Sequence, residues 1–182
     1  MKPRNATAAI IGAGDYIGAA IARKFAAEGY TVFAGRRTAE KLKVLEAAVR
    51  GSGGECIARA RRAEGRGRRR VSRGGRSARS SLEVCVFNAG ANVQCPMLDT
   101  TERVFRKVWE MVCYAGFLTG REAARLMLAH GRGTILFTGA TASLRGGRGY
   151  VACASAKFGL RAVAQRAWCA SSGRGPSTSR IW

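Results

Sequence analysis

The chain has 182 residues, enough to bury one ordinary hydrophobic core. Hydrophobic residues make up 47% of it, which excludes a wholly disordered polyelectrolyte, while a formal net charge of +21 would suit a phosphate-rich partner. Much of that charge sits in one block, Arg59 to Arg79, where arginine alternates with glycine and serine and Glu64 is the one acid.

The start, Met1-Lys2-Pro3-Arg4-Asn5, leads straight into the apolar run Ala8-Ala9-Ile10-Ile11, which stops at Gly12. That run is too brief for a signal h-region or a membrane span, so a soluble cytoplasmic protein with no membrane partner is expected. It predicts a strand, and Ala19–Glu28 then predicts a helix closed by Gly29. Thr31–Ala34 is β-branched and aromatic and predicts a second strand, and Ala39–Arg50 predicts a helix closed by Gly51-Ser52-Gly53-Gly54. Arg59 to Ser81 has no helical apolar stripe. Beyond it Leu82–Phe87 predicts a buried strand, Thr101–Leu128 a long helix, Gly133–Phe137 a strand and Ala154–Trp168 a helix, whereas Ser171–Arg180 shows no apolar period. Alternation of this kind predicts an α/β fold, a Rossmann-like doubly wound parallel sheet, as a single domain over 1–182.

The turn Gly12-Ala13-Gly14-Asp15-Tyr16-Ile17-Gly18 stands between the first strand and the first helix. There glycines let backbone N–H groups approach a pyrophosphate at a helix N-terminus, so Gly12, Gly14, Tyr16, Ile17 and Gly18 are candidate cofactor-binding residues. Glycine turns of this type also arise for structural reasons alone. The second strand ends in Gly35-Arg36-Arg37, where an acid would hold the ribose 2′-hydroxyl of NAD. Guanidinium groups suit a 2′-phosphate instead, so Arg36 and Arg37 favour NADP, with NAD possible; their alternative reading is solvated charge at a helix entrance.

Three further segments follow in order: Asn88-Ala89-Gly90, Thr138-Gly139-Ala140-Thr141-Ala142-Ser143, and Ala154-Ser155-Ala156-Lys157-Phe158-Gly159-Leu160. Together with the glycine turn they resemble the short-chain dehydrogenase/reductases, over about Ala8 to Gln165 with the arginine block excepted. The resemblance implies that Asn88, Ala89 and Gly90 close a strand beside the cofactor's ribose, and that Lys157 binds the nicotinamide ribose. It also exposes departures. The family's tyrosine falls at Cys153, its carbonyl-polarising serine at Ala140 and its relay asparagine near Val112, and Tyr16 replaces a usual glycine. Tyr150 and Ser143 are the candidate stand-ins, with Thr138 and Thr141 near the latter.

A thiol has an unperturbed pKa of roughly 8.5, so Lys157 beside Cys153 would favour a thiolate, a better nucleophile than acid; a small packed cysteine is the plainer alternative. Tyr150 is expected to precede the helix. The six cysteines include no CxxC pair, and His130 suits a helix end, so no metal site is expected.

Two segments fit the family poorly. Read one nucleotide out of frame with GC-rich codons, 67–80 becomes an alanine- and glutamate-rich amphipathic helix followed by proline, and a two-nucleotide shift turns Arg166–Trp182 into a helix end and a strand. Both are therefore expected to be frameshifted, the first otherwise an Arg/Gly-rich disordered stretch, and the fold to be C-terminally truncated. The first functional expectation is an NAD(P)-dependent oxidoreductase acting on a small-molecule carbonyl or alcohol, homo-oligomeric if full length. The second is a catalytically inactive NADP(H)-binding relative with a regulatory role. The third is a non-specific nucleic-acid binder, disfavoured because no aromatic side chains interleave the arginines to stack on bases.

Overall fold

The computed structural model describes residues 4–60, 81–171 and 177–181. The chain packs as two compact units, Met1–Val84 and Cys85–Trp182.

In the first unit β1 (Ala6–Ile11), α1 (Ile17–Ala27), β2 (Thr31–Arg36), α2 (Ala39–Gly51) and β3 (Glu55–Ala60) follow in order. β1 pairs β2 in parallel from Thr7↔Thr31 to Ile11↔Gly35, and β2 pairs β3 in parallel from Thr31↔Glu55 to Arg36↔Ala60. Parallel neighbours need a crossover, which α1 and α2 supply. The unit's core is made by Ala8, Ile10, Val32 and Ala34 from the strands with Ala22, Leu42, Leu45 and Val49 from the helices. α1 buries Ala19, Ala22 and Ala26 at the three- and four-residue spacing of one helix face; such small side chains let a helix approach closely. Thr7 Oγ1 donates to the carbonyl of Ser81 at 3.2 Å, the first residue of β4 (Ser81–Phe87), which begins in this unit and ends in the second.

In the second unit β4 is followed by α3 (Glu102–Trp109), a π-helical turn at Glu110–Tyr114, α4 (Ala115–Leu128), β5 (Gly133–Phe137), a 3-10 turn at Thr141–Ser143, α5 (Val151–Ser171) and β6 (Ser177–Ile181). Thr101 caps α3, its hydroxyl accepting from the Val104 N–H at 3.3 Å. β5 pairs β6 in parallel from Gly133↔Ser177 to Phe137↔Ile181, giving the order β4-β5-β6. Phe87, Phe137, Val112, Met127 and Leu160 are its most deeply buried large side chains.

The fold is α/β and Rossmann-like, as the alternating pattern predicted. Three predicted elements need correction. Glu55–Ala60 is a strand that hydropathy did not reveal, and the one long helix over Thr101–Leu128 is interrupted by the π turn. Ser171–Arg180, read as patternless, contains most of β6. The arginine block lies outside the described residues except for Arg59, Ala60 and Ser81, so the expectation that it is disordered or frameshifted concerns residues not described.

Candidate functional site

In the first unit the backbone leaves β1 through Gly12, whose φ of 87° suits glycine and strains other residues. The N–H groups of Gly12 and Ala13 both donate to the Gly35 carbonyl, at 2.9 and 3.0 Å, which ties the turn to the end of β2. A Cβ on Gly18 would collide with the Gly12 carbonyl and lie 2.7 Å from Ala13 Cα, so glycine at this position lets α1 press against the turn. α1 starts without a side-chain cap at Tyr16 and without an acid in its first turn. Of its leading N–H groups that of Ala19 donates to the Gly14 carbonyl at 2.8 Å, and no capping side chain competes for the positive end of the helix dipole, which fits a pyrophosphate. Tyr16 and Ile17 are exposed at 87% and 60%, two large apolar side chains held at the rim of the turn.

Arg36 ends β2 and meets Asp15 of the turn through both guanidinium nitrogens, and Lys41 Nζ reaches the same carboxylate at 3.0 Å. Arg36 first and Lys41 second hold the Asp15 carboxyl well below the usual carboxylate range. Arg37 lies at the exposed start of the connection to α2 and makes none of these bonds. Sequence reasoning picked out Arg36 and missed both Asp15 and Lys41, which meet only in the folded chain.

In the second unit Asn88, Ala89 and Gly90 leave β4, and Lys157 projects from α5. Lys157 is buried at 6% exposure, and its Nζ donates to the Thr138 carbonyl at 2.7 Å. A Cβ on Gly90 would sit 3.9 Å from both Cε and Nζ of Lys157, so the Gly90 backbone lies against the ammonium. Burial lowers the lysine's pKa, with the nearby Cys153 opposing that shift. Cys153, one helical turn earlier, donates from Sγ to the Ala91 carbonyl at 2.9 Å. Cys153 thus lies against a backbone carbonyl, while Lys157 gives one of its three ammonium hydrogens to Thr138.

Ser143 is buried and accepts from the Ala140 N–H at 3.1 Å, which leaves its own hydroxyl proton to give. Tyr150 immediately precedes α5, as expected: its carbonyl accepts from Ala154 N–H at 2.8 Å and its N–H donates to Gly147 O at 3.1 Å. These are backbone bonds, and among the described residues no bond links its hydroxyl to Lys157. Val112 is fully buried within the π turn and Ala140 bears only a methyl group, so neither offers a polar atom where the resemblance implies one. Among the described residues no group of three or more His, Cys, Asp or Glu is placed to hold a metal ion, and no helix is long and apolar enough to cross a membrane.

The family model for short chain dehydrogenases matches residues 6–173. No curated protein matches the chain. Among solved structures, a short-chain dehydrogenase from Rhodopseudomonas palustris is 56% identical with a TM-score of 0.86, the match covering 98% of this chain and 85% of that one. A metagenomic short-chain oxidoreductase in complex with NADP is 24% identical with a TM-score of 0.84, over 98% of this chain and 81% of that one. A short-chain dehydrogenase from Streptomyces avermitilis is 22% identical with a TM-score of 0.81, over 99% and 65%. The chain with its glycine turn, Asn88-Ala89-Gly90 and buried Lys157 belongs to the short-chain dehydrogenase family.

Proposed function

We propose that this chain binds NADP(H), NAD being the weaker cofactor, and acts as an oxidoreductase on a small-molecule carbonyl or alcohol. The observation that carries the reading is the Lys157 ammonium, buried against Gly90 and oriented by the Thr138 carbonyl. A buried cation with hydrogens to spare beside a glycine backbone fits the two hydroxyls of a ribose. The uncapped N-terminus of α1 and the glycine cradle at Gly18 fit a pyrophosphate, and Arg36 fits a 2′-phosphate. When bound, the nicotinamide supplies or accepts the hydride.

The chain's own part is the proton. Cys153 Sγ stands where the family has a tyrosine, and Ser143 Oγ–H is a hydroxyl able to polarise a carbonyl. A thiol is acid enough to protonate an alkoxide but shorter than a phenol by a ring, so turnover is slow. The same thiol's bond to Ala91 O, with Ala140 and Val112, favours the second reading, a cofactor-binding relative that has lost catalysis and serves regulation.

Residues 1–182 are read as one domain, supported by a single family model that spans both units. The second unit exposes Phe105, Trp109, Tyr114 and Phe117 along α3, the π turn and α4, with Trp109 and Tyr114 stacked at 6.3 Å; a second copy of the chain is the partner this face suits. Cys56, Cys85, Cys95, Cys113 and Cys153 are free thiols, in keeping with a cytoplasmic site.

The test is Cys153→Tyr. Wild-type protein is expected to bind NADPH, seen as enhanced nicotinamide fluorescence, and to consume it slowly over a panel of aldehydes and ketones. The tyrosine variant is expected to raise turnover about 10²-fold or more, the worth of a positioned acid. Binding with no turnover in either protein establishes the regulatory reading, and absence of nucleotide binding overturns both.

A further inference from the structure

The carboxylate in the glycine turn is held rather than free. Arg36 donates from Nη1 to Asp15 Oδ1 and from Nη2 to Oδ2, the latter at 3.2 Å, which is the fork that guanidinium offers to any planar anion. Lys41, from the first turn of α2, adds a third donor to Oδ2 at 3.0 Å. The Arg36 side chain is only 19% exposed whereas Asp15 is 48% and Lys41 56% exposed, so Arg36 is the fixed wall of this seat and the carboxylate and the Lys41 ammonium lie at its solvent face. Two cations on different elements thus converge on one anion position at the end of β2. A phosphate monoester carries more charge than a carboxylate and a third oxygen, and it suits the same three donors.

We propose that Asp15 is a built-in competitor for the 2′-phosphate seat formed by Arg36 and Lys41, and that it sets how strongly the chain discriminates NADP from NAD. To gain both cations a 2′-phosphate displaces the Asp15 carboxylate, and that displacement weakens NADP binding. A ribose lacking the phosphate leaves the ion pairs intact and can donate its 2′-hydroxyl to the carboxylate. Asp15 therefore narrows the preference that Arg36 and Lys41 create. The carboxyl stays ionised throughout the physiological range because both cations hold its pKa down, so the competition does not depend on pH there. It depends on salt, since the seat is open to solvent and screening weakens ionic contacts.

This inference rests on the dinucleotide-binding reading above, and the experiment separates the two. Dissociation constants for NADP⁺ and NAD⁺ are measured by calorimetry at low ionic strength for wild type, Asp15→Asn, and Asp15→Asn combined with Lys41→Ala. Adenosine 2′,5′-bisphosphate and adenosine 5′-monophosphate serve as probes of the adenosine half alone. Asp15→Asn is expected to tighten NADP⁺ and the bisphosphate about 5-fold, the upper end for an exposed ion pair, without tightening NAD⁺ or the monophosphate. Adding Lys41→Ala is expected to remove most of that gain. An unchanged NAD⁺ to NADP⁺ ratio in Asp15→Asn, with both still bound, overturns the role of Asp15 alone. Failure of wild type to bind any of the four overturns the dinucleotide reading and this inference with it.

Discussion

Gly18 shows how one missing atom places a whole helix. The atoms a Cβ would meet there, the Gly12 carbonyl and Ala13 Cα and C, are all backbone, so no side-chain rotation relieves the clash. Gly18→Ala is therefore expected to destabilise the chain by about 1–3 kcal/mol through overpacking and to weaken NADPH binding as the turn is displaced. Urea denaturation with and without NADPH checks both, and a variant as stable as wild type that binds as tightly would refute it. This glycine was legible in the sequence because strand, glycine turn and helix are contiguous, and Lys157 was legible because its segment matches a family motif. Asp15 was not, because its meaning comes from Arg36 and Lys41, which reach it only once β2 has returned alongside β1. Nor was the partner of Cys153 legible, since the Ala91 carbonyl is remote in sequence and carries no side-chain signature.

Elements built from local pattern were read well, and those defined by their partners were not. Gly133–Phe137 has the predicted bounds, and Thr31–Arg36 and Ala39–Gly51 extend the predictions by a residue or two. β3 was missed because its one fully buried side chain is Cys56 and because it is the end strand of its sheet, where alternation is weak. The π turn was missed because hydropathy repeats along α3 and α4 as in one helix, while the extra residue per turn is a backbone event. α4 packs on α5 and β5 through glycines one turn apart: a Cβ on Gly116 would strike Leu160 of α5, and one on Gly120 would lie 2.9 Å from Phe137 Cζ of β5. Phe137 is buried at 1% exposure and has little room to yield. Gly120→Ala is thus expected to cost about 1–3 kcal/mol by overpacking, seen as a lower urea midpoint at unchanged slope. Gly146→Ala, with nothing within 4 Å, is the control and is expected to stay within about 0.5 kcal/mol of wild type.

At the scale of the whole molecule, each unit carries a buried thiol that reports on its own unfolding. Burial pushes the Cys85 thiol, in the second unit, from 9.0 up to about 12. Burial also pushes Cys56, in the first unit, up to about 11, with Glu46 adding to the rise and Arg50 offsetting part of it. Above pH 9 the unfolded chain releases these protons while the folded chain keeps them, so folded stability falls as pH rises, and the fall for each thiol ends once its folded pKa is passed. For Cys85 the slope is about 1.4 kcal/mol per pH unit within that window. Calorimetric melts from pH 8 to 10.5 on wild type, Cys85→Ala and Cys56→Ala separate these slopes from other alkaline titrations, because each variant shares every titrating group but one. Each substitution is expected to flatten the alkaline decline. If residues 1–182 unfold as one domain, both substitutions act on a single transition, since a proton held in either unit stabilises the same folded state. Two transitions, each answering to only one of the cysteines, would overturn the single-domain reading even though each strand and helix is placed as described.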